Sequence, residues 1–568
     1  MRRVSRVRLR RSFGCGGVAR RGRALLSCRP GPYSRSTAMS DQFVHLPADS
    51  NQALGIAEYA IDFLSDDPGK AGAPDDAVLA RTNRFMTDAA ICGVSALALG
   101  TNAPSVLRKE AFEYEVITGE EGCTCLGSNL LVRPEKAIVA NCAAVREWDS
   151  NGTNFGYNPE RGHTAGEFGH NDFYPVAIAA AQLTGADGAK ALRAMVCIDE
   201  IRGRLAEVFS LKTYKIDHVL HGAIASAAVY GAMLGATPEQ IESAIGMTVA
   251  HYVPFRAIRA GKQLSDSKGS SAAISTEAAI MSVHRSMRGF MGPRDIFRNP
   301  EAIFRIFEGP GQMFKAVDAA EANTEQRDAS PFDLYLGRSG SDFAVMGMHF
   351  KLGLYEHQSA GAIQAMIDLL SANPSLLDSP DAIGSITITA YEPAFGIIGD
   401  PAKRNPTTRQ SADHSMVYII ATLLRKAIEG KAAGRPVCWE ELILLPEDYS
   451  RDAINNPLTR SLMDKISFAH GGPEYDSKYP DGIPTSVVIE GADGTKADSG
   501  LVMYPAGHAR NTTADLDALL ANKWKRLASL ASPNPETIIS KFEDFGSKHA
   551  GAVADVHDFE IVVRGGFE

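Results

Sequence analysis

The chain has 568 residues, 45% hydrophobic and 22% charged, which provides ample core for a folded globular body and predicts two domains rather than one. Its formal net charge is −9, but residues 1–40 hold 11 Arg and no Lys, Asp or Glu, so residues 41–568 set 47 basic against 67 acidic residues, a net −20. So acidic a body argues against a nucleic-acid partner, and no stretch reaches the run of about 18 apolar residues that a membrane partner would need.

The acid-free, Arg- and Ser-rich segment 1–40 has the composition of a mitochondrial transit peptide and lacks the continuous apolar run of a secretory signal. A non-native start upstream of Met39 reads equally well. The first case predicts a mitochondrial matrix protein and the second a cytoplasmic one; in both, 1–40 is disordered and stands outside the fold.

Beyond it the chain is mostly helical in pattern. Leu54–Leu64 carries apolar residues at helical spacing, Ala77–Met86 and Ala89–Leu99 read as two further helices, and Leu130–Trp148 resumes an Ala/Val pattern. The stretch Arg146-Glu-Trp-Asp-Ser-Asn-Gly-Thr-Asn154 follows, then Gly169-His-Asn-Asp-Phe-Tyr-Pro175 and the apolar run Val176–Leu183. A polar, turn-rich loop entering a rigid buried helix can hold side chains in place within reach of solvent. From residue types alone two readings of Asp149, Thr153 and His170 stand: a site loop, or helix caps with a core histidine.

Ala186–Leu211 reads as an amphipathic helix with Arg193, Arg202 and Arg204 on or near a solvated face. Asp217-His218 opens an Ala-rich helix, His221–Leu234. Thr237-Pro-Glu-Gln240 combines an N-cap, a first-turn Pro and a box Gln, and launches Glu239–Ala250. Arg256, Arg259 and Lys262 cluster before Ser265-Asp-Ser-Lys-Gly-Ser-Ser271, where amides at a helix start and Lys268 could meet an anion. A nucleotide loop is excluded, because the two glycines it needs before its lysine fall on Lys262 and Ser267.

Gly289–Phe314 reads as a connection. From about residue 343 strands mix with helices: His357 precedes helix Gln358–Leu370, Ser385–Ala390 and Pro484–Glu490 alternate as strands, and a turn-rich segment 405–414 precedes helix Met416–Ile428. Residues 512–545 return to helix, and Phe559–Val563 is a strand or an ordered tail. The eight cysteines include one close pair, Cys123 and Cys125, and form no zinc or iron–sulfur spacing. Cys92, Cys142 and Cys197 read as small core residues.

The ordered set Asp149-x-x-x-Thr153, Gly169-His170, Asp217-His218, Ser267-Lys268-Gly269, His357-Gln-Ser-Ala360, Ser411-Ala-Asp-His414 with Tyr418, and Gly507-His-Ala-Arg510 resembles the MmgE/PrpD family over roughly residues 42–545. That resemblance implies a mainly α fold: a large all-helical domain (41–342 plus 505–550) with an inserted smaller α+β lid domain (343–504), a tail at 551–568, and a site between the two domains. It also implies a homodimer that needs no cofactor, metal or iron–sulfur cluster and acts on a small tricarboxylate.

Carried over by position, Asp149, His170, His218, His357 and Tyr418 are the catalytic candidates, with Thr153 and Lys268 for substrate binding. His221, His251 and His414 read as neighbours. The chain departs from the family's usual His-Pro-Ser with His170-Asn-Asp-Phe. The expected activity is dehydration of 2-methylcitrate or a related acid. Decarboxylation of cis-aconitate is the alternative, and a non-catalytic helical binding protein the second alternative. Dehydration needs a base, an acid for the departing hydroxyl, and cations for the carboxylates, which histidines and Lys268 can supply.

Overall fold

Small apolar residues at helical spacing set the architecture. The computed structural model describes residues 42–117, 121–154, 156–166, 169–259, 264–306, 329–399, 401–565 and 567; the expected leader and Lys262 lie outside these. In the first half, helices α1 (Gln52–Phe63), α2 (Asp76–Ala98), α3 (Asn102–Phe112), α4 (Pro134–Arg146), α5 (Tyr174–Thr184), α6 (Gly188–Val208), α7 (Val219–Met233), α8 (Pro238–His251) and α9 (Asp266–Met287) pack around one core. α7 is buried on nearly every face, as a helix of Ala, Gly, Val and Ile must be. At Gly222 a Cβ would collide with the Phe173 ring, so glycine there lets α7 close on the start of α5. α8 begins with the expected reciprocal cap, Thr237 and Gln240 each accepting from the other's backbone N–H.

Two expectations need correction. The breaks between Ala77–Met86 and Ala89–Leu99 do not exist: α2 runs through them. Buried Asp88 is tolerated in mid-helix because Lys523 and the Trp524 indole, on the helix Leu516–Ala528, both donate to it at 2.9 Å. Arg202 and Arg204 are not on a solvated face. Arg202 pairs with Asp199 at 2.7 Å, and Arg204 is held by Glu200 at 2.8 Å, Glu207 at 3.0 Å and Asp342 at 2.7 Å. Glu200 also accepts the backbone N–H groups of Gly337 and Ala344, so the arginine is part of a buried joint between α6 and residues 337–344. Charged residues fully desolvated in this way persist only when paired.

The second half is mixed, as expected. A sheet in the order Ile466–His470, Ile383–Ala390, Thr485–Gly491, Lys496–Asp498 has its first pair parallel and the others antiparallel. Helices Ala360–Ala372 and Met416–Ala432 pack with it. Of the two readings of 559–563, the ordered tail holds: Val562 N–H donates to Ala531 and Arg564 N–H to Ala98. Residues Met39–Glu568 make one compact unit. Among the described residues no single helix is long and apolar enough to cross a membrane. Cys92, Cys123, Cys125, Cys142 and Cys197 are buried free thiols, with burial pushing each above the ordinary thiol value.

Candidate active site

The end of α4 delivers Asp149 into the interior, and backbone pairing then fixes the loop. Thr153–Asn154 pairs antiparallel with Gly169–His170, and Thr153 exchanges both backbone hydrogen bonds with His349, at 2.9 and 2.8 Å. The Thr153 hydroxyl donates to the Gly169 carbonyl at 3.0 Å. A Cβ on Gly152 would strike the Asn171 side chain and the Phe85 ring, so the loop closes only with glycine.

Asn171 and Asp172, the residues that depart from the family pattern, are buried and hold this loop. Asn151 donates to Asp172 at 2.6 Å, the Asn171 N–H donates to the Gly152 carbonyl at 3.1 Å, and Arg146 lies 3.6 Å from Asp172. Lys523 clamps two segments from behind, donating to the carbonyls of Ser150 and Lys351 at 2.7 and 2.8 Å.

These ties enclose a cavity of about 130 Å³ whose wall includes Asp149, Thr153, His170, His218, Lys268 and His357. Six of the seven residues singled out in the sequence therefore meet. Tyr418 does not: its hydroxyl donates to the Asp448 carbonyl inside the core, and burial pushes it above the usual phenol value. It sits on the packed side of its helix and offers no proton donor to the cavity.

Sequence reasoning missed several members of the site. Lys351 contacts Asp149 directly and lies 3.4 Å from His170 Nδ1. His414, read as a bystander, places Nε2 3.0 Å from Asp149 and Nδ1 2.6 Å from Asp413. Arg256, Arg259, Lys212, Lys403 and Glu356 complete the polar wall. The Arg256–Arg259 pair was visible as a basic cluster; Lys351 carried no local signal.

Electrostatics assigns each group a charge state. Burial would raise the Asp149 carboxyl, but Lys351, Arg146 and Lys268 outweigh it and hold it well below the usual carboxylate range. Asp149 is therefore an ionised anchor. Burial, with the neighbouring cations, holds His170 and His218 well below the ordinary imidazole value, and burial does the same for His357. All three are neutral near pH 7, the form that accepts a proton.

Among the described residues the two ring nitrogens of His218 find no hydrogen-bond partner; Asp217 lies 3.5 Å from Nδ1, and the ring centre is 5.5 Å from that of His170. Burial pulls the Lys268 ammonium down to about 8 although Asp413 and Asp149 oppose it. Burial holds Glu356 neutral, well above the usual carboxyl range.

Asp149, Asp413 and His414 bring three donor atoms within 4.8 Å of one another, a spacing that could hold a cation. The Lys268 ammonium already lies 3.4 Å from Asp149 and 3.6 Å from Asp413, so a lysine supplies the positive charge there. Among the described residues the wall carries Lys212, Arg256, Arg259, Lys268 and Lys403 beside ionised Asp149, with Asp217 behind it paired to Arg259 and 4.0 Å from Arg256, and Asp413 3.6 Å from Lys268. Cations and neutral imidazoles on one wall suit a small multiply charged acid with which protons can be exchanged.

The fold and this cleft define a mainly helical protein whose small cavity gathers histidines, lysines and arginines around Asp149. Models of the MmgE/PrpD N-terminal domain and the MmgE/PrpD C-terminal domain match residues 57–314 and residues 355–434 with 437–544, respectively. The chain belongs to the MmgE/PrpD family. It is 25% identical to a 2-methylcitrate dehydratase of Escherichia coli over 340 residues, 59% of this chain and 62% of that protein. It is 23% identical to a probable 2-methylcitrate dehydratase of Saccharomyces cerevisiae over 465 residues, 78% and 82% of the two chains. An alkylcitrate dehydratase of a fungal species is 24% identical over 383 residues, 66% and 67%. The match to the bacterial relative thus spans under two thirds of that relative's length.

Proposed function

We propose that the protein is a lyase that dehydrates 2-methylcitrate or a closely related tricarboxylic acid without a cofactor. One observation carries this reading: neutral imidazoles and five ammonium or guanidinium groups, counted among the described residues, line one small cavity in an acidic protein. The relatives named as dehydratases of 2-methylcitrate and of alkylcitrate support the choice of substrate class.

In this reading Lys268, Arg259 and Arg256 hold the substrate carboxylates. Proton removal beside a carboxylate places extra negative charge on its oxygens, and fixed cations stabilise that charge more in the transition state than in the ground state. His218 has unoccupied ring nitrogens and is the preferred base. The proton it takes makes His218 an imidazolium, and that proton, handed on by His170 beside it, reaches the departing hydroxyl, which leaves as water. Asp149 transfers no proton; it fixes Lys351, Lys268 and His414 around the substrate.

The test is full-length protein with 2-methylcitrate, citrate and isocitrate, following the absorbance of the unsaturated product. Conversion of 2-methylcitrate is expected, and folded protein that converts none of the three contradicts the proposal. The homodimer and the 1–40 leader belong to the same proposal. Light scattering should give twice the monomer mass, and fractionation should place an expressed leader with the mitochondrial matrix.

A further inference from the structure

A second cavity adjoins the first. It is wider, about 890 Å³, and its wall includes Ser210, Lys212, Thr213, Lys215, Arg256 and Asp481. Lys212 and Arg256 line both cavities, so they stand at the boundary between them. Lys215 belongs to the outer one alone.

The backbone there is built to hold these cations. Lys215 is a non-glycine residue at φ +63°, in the left-handed region, which costs about 1 kcal/mol or more for an ordinary side chain. Its carbonyl accepts the Arg256 N–H at 2.8 Å, and two residues on the Asp217 N–H donates to the Pro254 carbonyl at 2.8 Å. The segment that carries Lys212 and Lys215 is thereby stitched to the segment that carries Arg256 and Arg259. Asp481, the acidic residue in the outer wall, is itself paired with Arg510. Among the described residues the outer wall thus carries three cations, Lys212, Lys215 and Arg256, to one carboxylate, while residues 41–568 as a whole carry −20. An anionic acid approaching such a body is repelled on average and needs a local field of opposite sign to enter.

We propose that the outer cavity is a second, weaker docking site for polycarboxylates, which collects the acid from solution and passes it to the inner cavity across Lys212 and Arg256. Lys215 is its dedicated cation. This rests on the reading of the inner cavity as a tricarboxylate site. Its charged lining also predisposes the outer cavity against long alkyl substituents, which gain nothing among ammonium groups.

The experiment compares full-length wild type with Lys215→Asn, Lys215→Arg and Lys215→Glu. Asn tolerates the left-handed backbone, so the first substitution removes charge without adding strain. Steady-state kinetics with 2-methylcitrate are measured at about 0.01 M and about 1 M ionic strength, where charges are felt over about 30 Å and about 3 Å. Lys215→Asn should lower kcat/KM roughly three- to tenfold at low salt and leave it unchanged at high salt, with kcat constant. Lys215→Glu should lose more, and Lys215→Arg should match wild type.

A wild-type kcat/KM in Lys215→Asn at low salt, a deficit that persists at high salt, or a fall in kcat each overturns the proposal. Wild type that converts no tricarboxylate refutes the lyase reading instead. Calorimetric citrate binding by the same variants then decides the docking site: salt-sensitive weakening in Lys215→Asn supports it, and unchanged binding overturns it.

Discussion

Lys268 offers the sharpest consequence of burial. Its ammonium is fully enclosed and sits at about 8 rather than near the ordinary lysine value. Carboxylate binding requires the charged form, so kcat/KM should be flat below pH 8 and fall about tenfold per unit above it, reaching roughly a tenth of its plateau at pH 9. The effect on stability has the opposite sign. A folded value below the unfolded one means the fold disfavours the charged ammonium, by roughly 3 kcal/mol below pH 8, and that penalty fades as pH rises toward 10.5. Activity should therefore fall between pH 7 and 9 while this group's contribution to unfolding free energy improves, which separates titration from denaturation. The assay is kcat/KM for 2-methylcitrate across pH 6.5–9.5 beside urea melts at the same pH values, with Lys268→Arg as the control that stays charged. The arginine variant will be slower, but its alkaline limb should vanish. A limb that survives in Lys268→Arg, or none in wild type, refutes the assignment.

Other consequences concern single contacts. Tyr418→Phe removes a hydrogen bond to the Asp448 carbonyl and should cost about 1 kcal/mol in urea melts while kcat changes less than about twofold; a large loss of kcat would return the tyrosine to the site. Lys351→Met leaves Asp149 short of its foremost counter-charge and should cost about 3 kcal/mol or more and abolish turnover. Normal activity in that variant would remove Asp149 from its anchoring role. Asn171→Ala removes the amide's bonds to the Tyr174 hydroxyl and Asp199 but keeps the backbone N–H on Gly152, so it should cost about 1–3 kcal/mol in the same melts while kcat changes less than about twofold. Arg204→Ala should destabilise by about 3–5 kcal/mol through the carboxylates it strands, yet leave kcat per folded molecule unchanged.

Much of the cavity was legible because its residues sit at element boundaries that leave marks in sequence. Asp149 and Thr153 follow a helix end, His218 and Lys268 lie at helix starts, and His357 precedes one. Such positions combine turn chemistry with a polar side chain, and their order along the chain matched a family pattern. Lys351 leaves no such mark. It reads as one more lysine beside Phe350, and contacts distant in sequence, Thr153 with His349 and Lys523 with the Ser150 and Lys351 carbonyls, bring it against Asp149.

His414 reads as a neighbour in sequence, since its contact with Asp149 joins residues far apart in the chain and leaves no local mark. Arg202 and Arg204 misled because periodicity cannot distinguish a solvated charge from one whose partners sit three or four residues away on the same helix. Tyr418 shows the reverse: a hydroxyl near a site motif suggests a donor to the cavity, but the packing of its helix gives it the Asp448 carbonyl.

Product analysis by NMR tests the central claim most directly. Full-length wild type and Lys268→Met are incubated with 2-methylcitrate and, separately, with cis-aconitate, while released carbon dioxide is measured. Wild type should convert 2-methylcitrate to one unsaturated tricarboxylate with no carbon dioxide from either acid, and folded Lys268→Met should convert neither. Carbon dioxide from cis-aconitate, or a folded wild type that leaves 2-methylcitrate intact, would contradict it.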